Sequence, residues 1–484
     1  MLRLLGTDLY THNIQTRMPF KYGIATLTVV PHLFARVQLA VDGTRATGIA
    51  ADSLPPKWFT KDPATSMQHD IEEMIDVIRA ACRHAEAIAT AESPFAFWRQ
   101  LYAIQKAWAE ARVTAPAYPP LLWNFGVSLV ERALIDAFCR ATGMTLQQAI
   151  RVNAFGVDLG AIHSELHDRV PVDYLPRSPQ RRLIARHTIG LVDPLTDDEI
   201  KDDERIDDGL PQSFAACVRH YGLTHFKIKV GGDVDADLAR LARIIGVIEE
   251  HVPGQYAFTL DGNEQYQSMA DFRSFWETLS ASFPAFVQRL IFVEQPLHRN
   301  GALSNEVGAA LAAWPDRPPM IIDESDGSLE SLPNALALGY QGTSHKNCKG
   351  IFKGIANACL IAHRQQQEPD RQFVLSGEDL TNIGPVALLQ DLAVLATLGV
   401  DHAERNGHHY YAGLSVFPTD VQRQVLTHHG DLYRQQGTLV AVAIDQGTLA
   451  LDSVVRAPFG VGFELAVEQF TPLDEWHFAS LRVT

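Results

Sequence analysis

Three stretches of the sequence run through apolar residues and stop on a carboxylate: FTLDGN at Asp261, FVEQP at Glu294 and IIDES at Asp323. Each charge sits where a strand would leave a core. If those strands belong to one closed sheet, their ends meet at one rim. Three carboxylates packed there repel and raise one another's pKa. A divalent cation removes the conflict, and all-oxygen ligation favours a hard ion, Mg²⁺ first with Mn²⁺ as the alternative. Two basic stretches flank the triad. In THFKIKVGGD, Phe226, Ile228 and Val230 alternate with Lys227 and Lys229, so both ammonium groups face one side of a strand. TSHKNCKG carries Lys346 and Lys349. A lysine near a cation, or stripped of water, has a lowered pKa. Bringing it from about 10.4 to about 7–8 takes roughly 4 kcal/mol, which makes it a general base or acid at neutral pH. Taken singly, each acid is as well explained as a helix cap or a loop charge. The complete set at regular spacing points to chemistry.

The spacing says what must position these groups. From Lys229 the charges fall at Asp261, Glu294, Asp323 and Lys346, which are 32, 33, 29 and 23 residues apart. A strand-plus-helix unit needs about 30 residues. Eight short apolar runs follow Arg182, each with a helical pattern between it and the next: RLIARHTIGLV, THFKIKVGG, QYAFTLDGNE, RLIFVEQPL, PPMIIDES, GTSHKNCKG, RQFVLSGED and TLGVDHAERN. Eight such units predict a closed TIM-type barrel, with an open doubly wound sheet as the alternative. No GxGxxG follows any of the strands, which weakens a dinucleotide-binding version.

Ahead of the barrel the texture is mixed. HLFARVQLAVDGTRATGIAAD alternates about an Asp42-Gly43 turn and predicts a hairpin. SMQHDIEEMIDVIRAACRHAEAIA and NFGVSLVERALIDAFCRATG have helical periods, the second stopping at Gly143. The expected organisation is an α+β unit over 1–150, a linker over 151–181, the barrel with the catalytic site over 182–430, and a β-rich tail over 431–484 that packs back on the N-terminal unit. The acidic stretch DPLTDDEIKDDERIDDGLPQ (193–212) reads as a solvated loop after the first strand, with a lid over the barrel mouth as the alternative.

With 41 basic and 57 acidic residues in 484, the net charge of −16 argues against a general nucleic-acid or anionic-membrane binder. No long apolar run and no apolar h-region appear, so a cytoplasmic protein is expected. Cys82, Cys139, Cys217, Cys348 and Cys359 are scattered and form no CxxC. They predict buried thiols rather than a disulfide framework or zinc site, with Cys348, between Lys346 and Lys349, the one to watch.

The order KxK, DxN, ExP, DES and KxxKG resembles the enolase superfamily, in its muconate-lactonizing-enzyme branch within the mandelate racemase/muconate lactonizing enzyme family. MPFKYGIATLT is similar to that family's mobile capping loop, ERALIDAFCRATG to its linker helix and APFGVGFEL to its closing segment. The resemblance implies an α/β fold, a (β/α)₇β barrel with an N-terminal α+β capping domain. It implies Mg²⁺ on Asp261, Glu294 and Asp323, an acid/base pair of Lys229 and Lys346, and Lys227 as a helper at the substrate carboxylate. Enolase-superfamily sites use a Lys or His base with Mg²⁺ stabilising an ene-diolate, and that mechanism comes with the resemblance. Asn263 of DxN, Tyr22 of the capping loop and Glu378 are assigned to the substrate, and Lys349 to structure.

The seventh strand, FVLSGEDLTNIGP, has Glu378 and Asp379 but no His, which disfavours mandelate-racemase chemistry. Near strand eight, GVDHAERNGHHYY has Asp401, Glu404 and Arg405 in place of the DxD of dipeptide epimerases, and His408 and His409 read as surface or capping contacts, with a polar substrate contact as the alternative. The resulting expectation is an isomerase, a racemase/epimerase or cycloisomerase, that removes the proton α to the carboxylate of a small molecule. A homo-oligomer is expected. The alternatives are an acid-sugar dehydratase (a carbon–oxygen lyase) and a non-catalytic small-carboxylate binder.

Overall fold

A computed structural model describes residues 1–112 and 117–482. The chain opens with three long antiparallel strands, Leu2–Tyr22, Ala25–Val41 and Thr44–Ser53. The last two form the expected hairpin: Val41 pairs with Thr44, and Asp42 (φ 47°) with Gly43 (φ 90°) supplies the two left-handed residues of a tight turn. Helices Met67–Ile88, Pro94–Glu110 and Pro120–Thr142 cover the sheet. Ser66 and Ser93 cap the first two by accepting N–H bonds of 3.1 Å from His69 and Ala96, caps worth about 1 kcal/mol each. The third ends on left-handed Gly143 (φ 67°), as its sequence predicts. It is buried on almost every side and lies tightly on its neighbours. A Cβ at Gly126 would fall 2.3 Å from the Val77 carbonyl oxygen, and one at Gly48 would fall 2.1 Å from that of Ala133.

Eight parallel strands follow: Arg182–Ile189, His225–Lys229, Ala257–Asp261, Leu290–Glu294, Met320–Ile321, Gly342–His345, Val374–Gly377 and His402–Arg405. They pair in ring order, with the eighth strand beside the first. A bridge between Ile322 and Thr343 joins the fifth to the sixth. Helices lie between successive strands, so the fold is the expected α/β barrel with an antiparallel capping unit. Glu131, on the third capping helix, accepts N–H bonds from Ile351 (3.1 Å) and Phe352 (2.7 Å). It thereby ties the cap to the helix after the sixth strand.

The tail, expected to be β-rich, has only short strands. After the short pair Tyr433–Gln436 and Leu439–Val442, Thr448–Ala450 adds antiparallel to the first barrel strand, and Thr471–Pro472 pairs with Tyr10 and Thr11. APFGVGFEL forms no strand; its apolar side chains Phe459, Val461 and Phe463 are buried in the main hydrophobic core. The acidic stretch after the first strand makes two 3₁₀ turns with mostly exposed carboxylates. Its far end is held by Arg17, which donates to Asp208 and to the carbonyls of Leu210 (2.9 Å) and Pro211 (3.1 Å).

Candidate active site

The second strand alternates as its sequence predicts. Phe226 and Ile228 go into the surrounding core, while Lys227 and Lys229 point into the barrel. Lys227 is almost completely buried, and its Nζ lies 2.9 Å from Asp261, 2.7 Å from Glu294, 2.5 Å from Glu378 and 3.1 Å from Glu404. Lys229 donates to Asp261. The sixth strand brings Lys346 onto Asp323 from the other side. Lys349 donates to the Asp323 carboxylate and carbonyl, both at 2.8 Å. Lys349 therefore fixes the direction of Asp323, in keeping with its structural assignment.

The turns after the strands are stiffened to hold these ends. Asn263 (φ 41°), Glu264 (φ 63°) and Gln295 (φ 37°) occupy left-handed backbone that non-glycine residues seldom adopt. Asp261 holds the first by accepting the Asn263 N–H at 2.8 Å. The Gln295 side chain accepts from the Asp323 N–H (2.9 Å) and donates to Ser325 (2.8 Å), clamping the turn that carries Asp323 and Glu324.

The electrostatics separate the three carboxylates. Burial, then the charges of Asp261 and Glu378, push Glu294 well above the ordinary range against the pull of Lys227. Burial also opposes charge on Asp261 and Asp323, but Lys227 and Lys229 hold the first down, and Lys346, Lys349 and Lys227 hold the second well down. Burial and the neighbouring Asp323 raise Glu324 to about 7. Both Glu294 oxygens are buried without a hydrogen bond among the described residues, although the Lys227 ammonium stands beside one of them. A dry carboxylate with two open oxygens, between two ionised ones, suits a hard divalent cation. The residues present fit Mg²⁺.

With no cation between them, the carboxylates set the direction of the lysine shifts. Burial lowers Lys346, but Asp323 and the more distant Glu294 and Glu378 outweigh it, and its pKa stands above the ordinary lysine range. Asp261, Glu294, Glu378 and Glu404 do the same for Lys227. The carboxylates that would bind a cation here neutralise the ammonium groups instead.

A narrow cavity of about 50 Å³, open to solvent, lies over these groups. Lys227, Lys229, Lys346, Asn263, Asp323, Glu324, Glu404 and Tyr22 line it. Tyr22 donates to the Pro56 carbonyl at 2.8 Å, so the capping loop reaches the mouth. Glu378, assigned to the substrate from its place after the seventh strand, does not line the cavity. It points inward with Ser376 and pairs with Arg186 and Lys227 beneath the floor. Glu404 of the eighth strand reaches the cavity in its place. No residue of 193–212 lines it.

The cap contributes groups that the strand pattern does not reveal. The Trp58 ring lies 5.1 Å from the Lys346 ammonium, a cation–π contact. Lys61 pairs with Glu264 (3.2 Å), which also holds Arg299 (2.8 Å), and Arg299 donates to the carbonyls of Trp58 and Phe59. The signal was PPKWFTKDP, a proline-bounded loop with two lysines and a tryptophan. A larger groove beside Arg36, Arg45 and Arg140 lies on the capping sheet, away from the barrel mouth.

Neither a family model nor a curated protein sequence matches the chain. Solved structures do. A mandelate racemase/muconate lactonizing protein from Herpetosiphon aurantiacus matches at TM-score 0.57 and 18% identity, covering 96% of this chain and 99% of that one. The chain has the same fold. An N-succinyl Arg/Lys racemase from Bacillus cereus matches at TM-score 0.60, 13% identity and coverage of 97% and 98%. An enolase from Bradyrhizobium, complexed with magnesium and mandelic acid, matches at TM-score 0.56, 13% identity and coverage of 97% and 98%. The capped barrel of this chain is therefore the fold of the mandelate racemase and muconate lactonizing proteins. Among the described residues no helix is long and apolar enough to cross a membrane.

Proposed function

We propose that the chain is an enolase-superfamily isomerase that removes the proton α to the carboxylate of a small molecule, with Lys229 and Lys346 as its acid/base pair. One observation carries the reading. The second and sixth strands deliver these two lysines to one cavity, and in ring order the three strands bearing Asp261, Glu294 and Asp323 stand between them. Racemase structures of the same fold support the reaction class.

Asp261, Glu294 and Asp323 would hold Mg²⁺, which supplies Lewis-acid stabilisation to the substrate carboxylate. Lys227 places a fixed positive charge where negative charge develops on that carboxylate, a preorganised contribution that needs no reorganisation during reaction. Lys229 and Lys346 reach the α-carbon from opposite sides, one taking the proton and the other returning one. Asp261 and Asp323 set the direction of each ammonium group. Trp58 and Tyr22 close the mouth from the cap and keep water from the α-carbon.

A screen of N-acyl amino acids, dipeptides, muconates and acid sugars in D₂O, read by α-hydrogen exchange and by product, finds the substrate. On it, Lys229→Ala and Lys346→Ala should each lose net epimerisation by about 10²–10⁴-fold. Each should still exchange the α-hydrogen of one stereoisomer, and the two should retain opposite ones. Turnover that survives loss of one lysine would make the enzyme a one-base cycloisomerase or lyase. Normal exchange in both variants would reduce the pair to structural ions.

A further inference from the structure

The first barrel strand has two faces with different chemistry. Arg186 and Thr188 point inward, where Arg186 meets Glu378 and the Thr188 hydroxyl donates to Glu404 at 2.7 Å. His187 between them points outward, against Phe214 of the helix Phe214–Tyr221. Cys217 stands on that helix, whose start Ser213 fixes by accepting the Ala216 N–H at 3.1 Å. His409 arrives from the short helix Gly407–Tyr410 after the eighth strand. Expected as a surface or capping contact, it is 2% exposed, with its Nδ1 3.4 Å from the Cys217 Sγ. One ligand atom from each of His187, Cys217 and His409 lies within 4.8 Å of the others, and all three residues are buried.

We propose that His187, Cys217 and His409 form a Zn²⁺ site on the outer side of the barrel wall, separate from the carboxylates inside it. A tetrahedral zinc ion with Zn–S of about 2.3 Å and Zn–N of about 2.0–2.1 Å sets sulfur and nitrogen roughly 3.6 Å apart, close to the separation present. The donor set has one thiol, two imidazoles and no carboxylate, which selects zinc over Mg²⁺. His408 lies with its Nε2 3.0 Å from His187 Nδ1, so it fixes the orientation of that ring. The His408 Nδ1 is buried without a partner among the described residues.

Burial lowers His187 and His409 to about 3, so both rings are neutral near pH 7 and present lone pairs. Burial raises the Cys217 thiol, with Arg17 pulling down and Asp193 pushing up. Ligation therefore replaces the Sγ–H bond with an Sγ–Zn bond and releases that proton to solvent. The three ligands come from the first strand, the helix after it and the turn after the eighth strand. The ion would clasp the seam at which the ring closes.

The test uses the whole chain, freed of metal and saturated with Mg²⁺ so that the carboxylates are occupied. Titration with Co²⁺ alone should give thiolate-to-cobalt charge-transfer absorption and four-coordinate ligand-field bands, saturating at one ion per chain and erased by added Zn²⁺. Cys217→Ser should lose the charge-transfer band. His409→Gln should weaken Co²⁺ binding by at least about tenfold. Glu294→Gln should retain both features. X-ray absorption of the zinc-loaded wild-type protein tests the same site without any variant, and one sulfur with at least two imidazoles is expected. An all-oxygen shell, a charge-transfer band that persists in Cys217→Ser, or no band in the wild type would each overturn the proposal.

Discussion

Two buried regions of the molecule treat charge in opposite ways. Between the capping helix and its sheet, Arg132 is fully enclosed with each nitrogen assigned: Nη2 to Asp52 (3.0 Å), Nη1 to the Ala51 carbonyl (3.1 Å) and Nε to the Ser128 carbonyl (3.2 Å). Asp136 is likewise matched by Arg140 (3.0 Å) and the Ile49 N–H (3.0 Å). Inside the barrel the charges are as deeply buried but overcrowded. Four carboxylates share Lys227, and Glu294 keeps two oxygens with no hydrogen bond. Complete matching fixes a fold, whereas a surplus of acceptors leaves room for something the chain itself does not provide.

Neutralising one charge in each region should therefore have opposite signs, and the largest effect is expected in the barrel. Glu294→Gln should abolish turnover, and the rise in Tm expected for the wild type on adding Mg²⁺ should be lost in the variant. The metal-free variant should melt at the same temperature as the wild type or higher, because burial already raises the pKa of this carboxylate. Calorimetry with and without Mg²⁺ reads both effects. A metal-free variant several degrees less stable would erase the contrast.

The barrel half of this contrast is legible in the sequence. Each rim charge ends an apolar run, and a period of two sets which face Lys227 and Lys229 take. What could not be read there depends on depth and on partners far along the chain. Glu378 has the same strand-end signature as Asp261, yet Arg186, nearly 200 residues earlier, draws it beneath the cavity floor. The upward shift of Lys346 depends on Asp323 lying against it, whereas the sequence indicates only that a cation should be near. Cys217 and His409 are 192 residues apart, so no spacing rule joins them. Trp58 and Lys61 come from a loop without periodicity, where composition alone is a weak signal.

The matched region gives the next effect. Arg132→Met roughly keeps the volume but leaves Asp52 buried with only the Ser53 N–H (3.1 Å) to compensate it. Asp52 is already raised to about 6 by burial, with Arg132 pulling it down. Removing one partner of a buried pair costs about 3–5 kcal/mol. Urea unfolding should show a loss of that size, with Mg²⁺ affinity unchanged because Arg132 touches no residue of the barrel mouth. A loss below about 1 kcal/mol would mean that the pair contributes little to holding the cap together.

Glu131 is the exception within the matched region, and it gives the smallest effect. One oxygen accepts both helix N–H groups, while the other is buried without a partner among the described residues. Burial raises its pKa from 4.5 to about 7, with the backbone N–H groups of Phe352 and Ile351 opposing. Between these values the folded state keeps a proton that the unfolded state has released. Stability contributed by this group is therefore present at about pH 4.5 and falls as pH rises to about 7, by up to about 1.4 kcal/mol per pH unit, then levels off. Glu131→Gln keeps the accepting oxygen and puts an uncharged NH₂ in place of the unmatched one. Wild-type stability minus that of the variant should slope downward across pH 5–7 and be flat above it, measured by urea unfolding at half-unit steps. A difference that rises across that window would place a charged, well-compensated Glu131 among the matched groups, and the cap would then contain no exception.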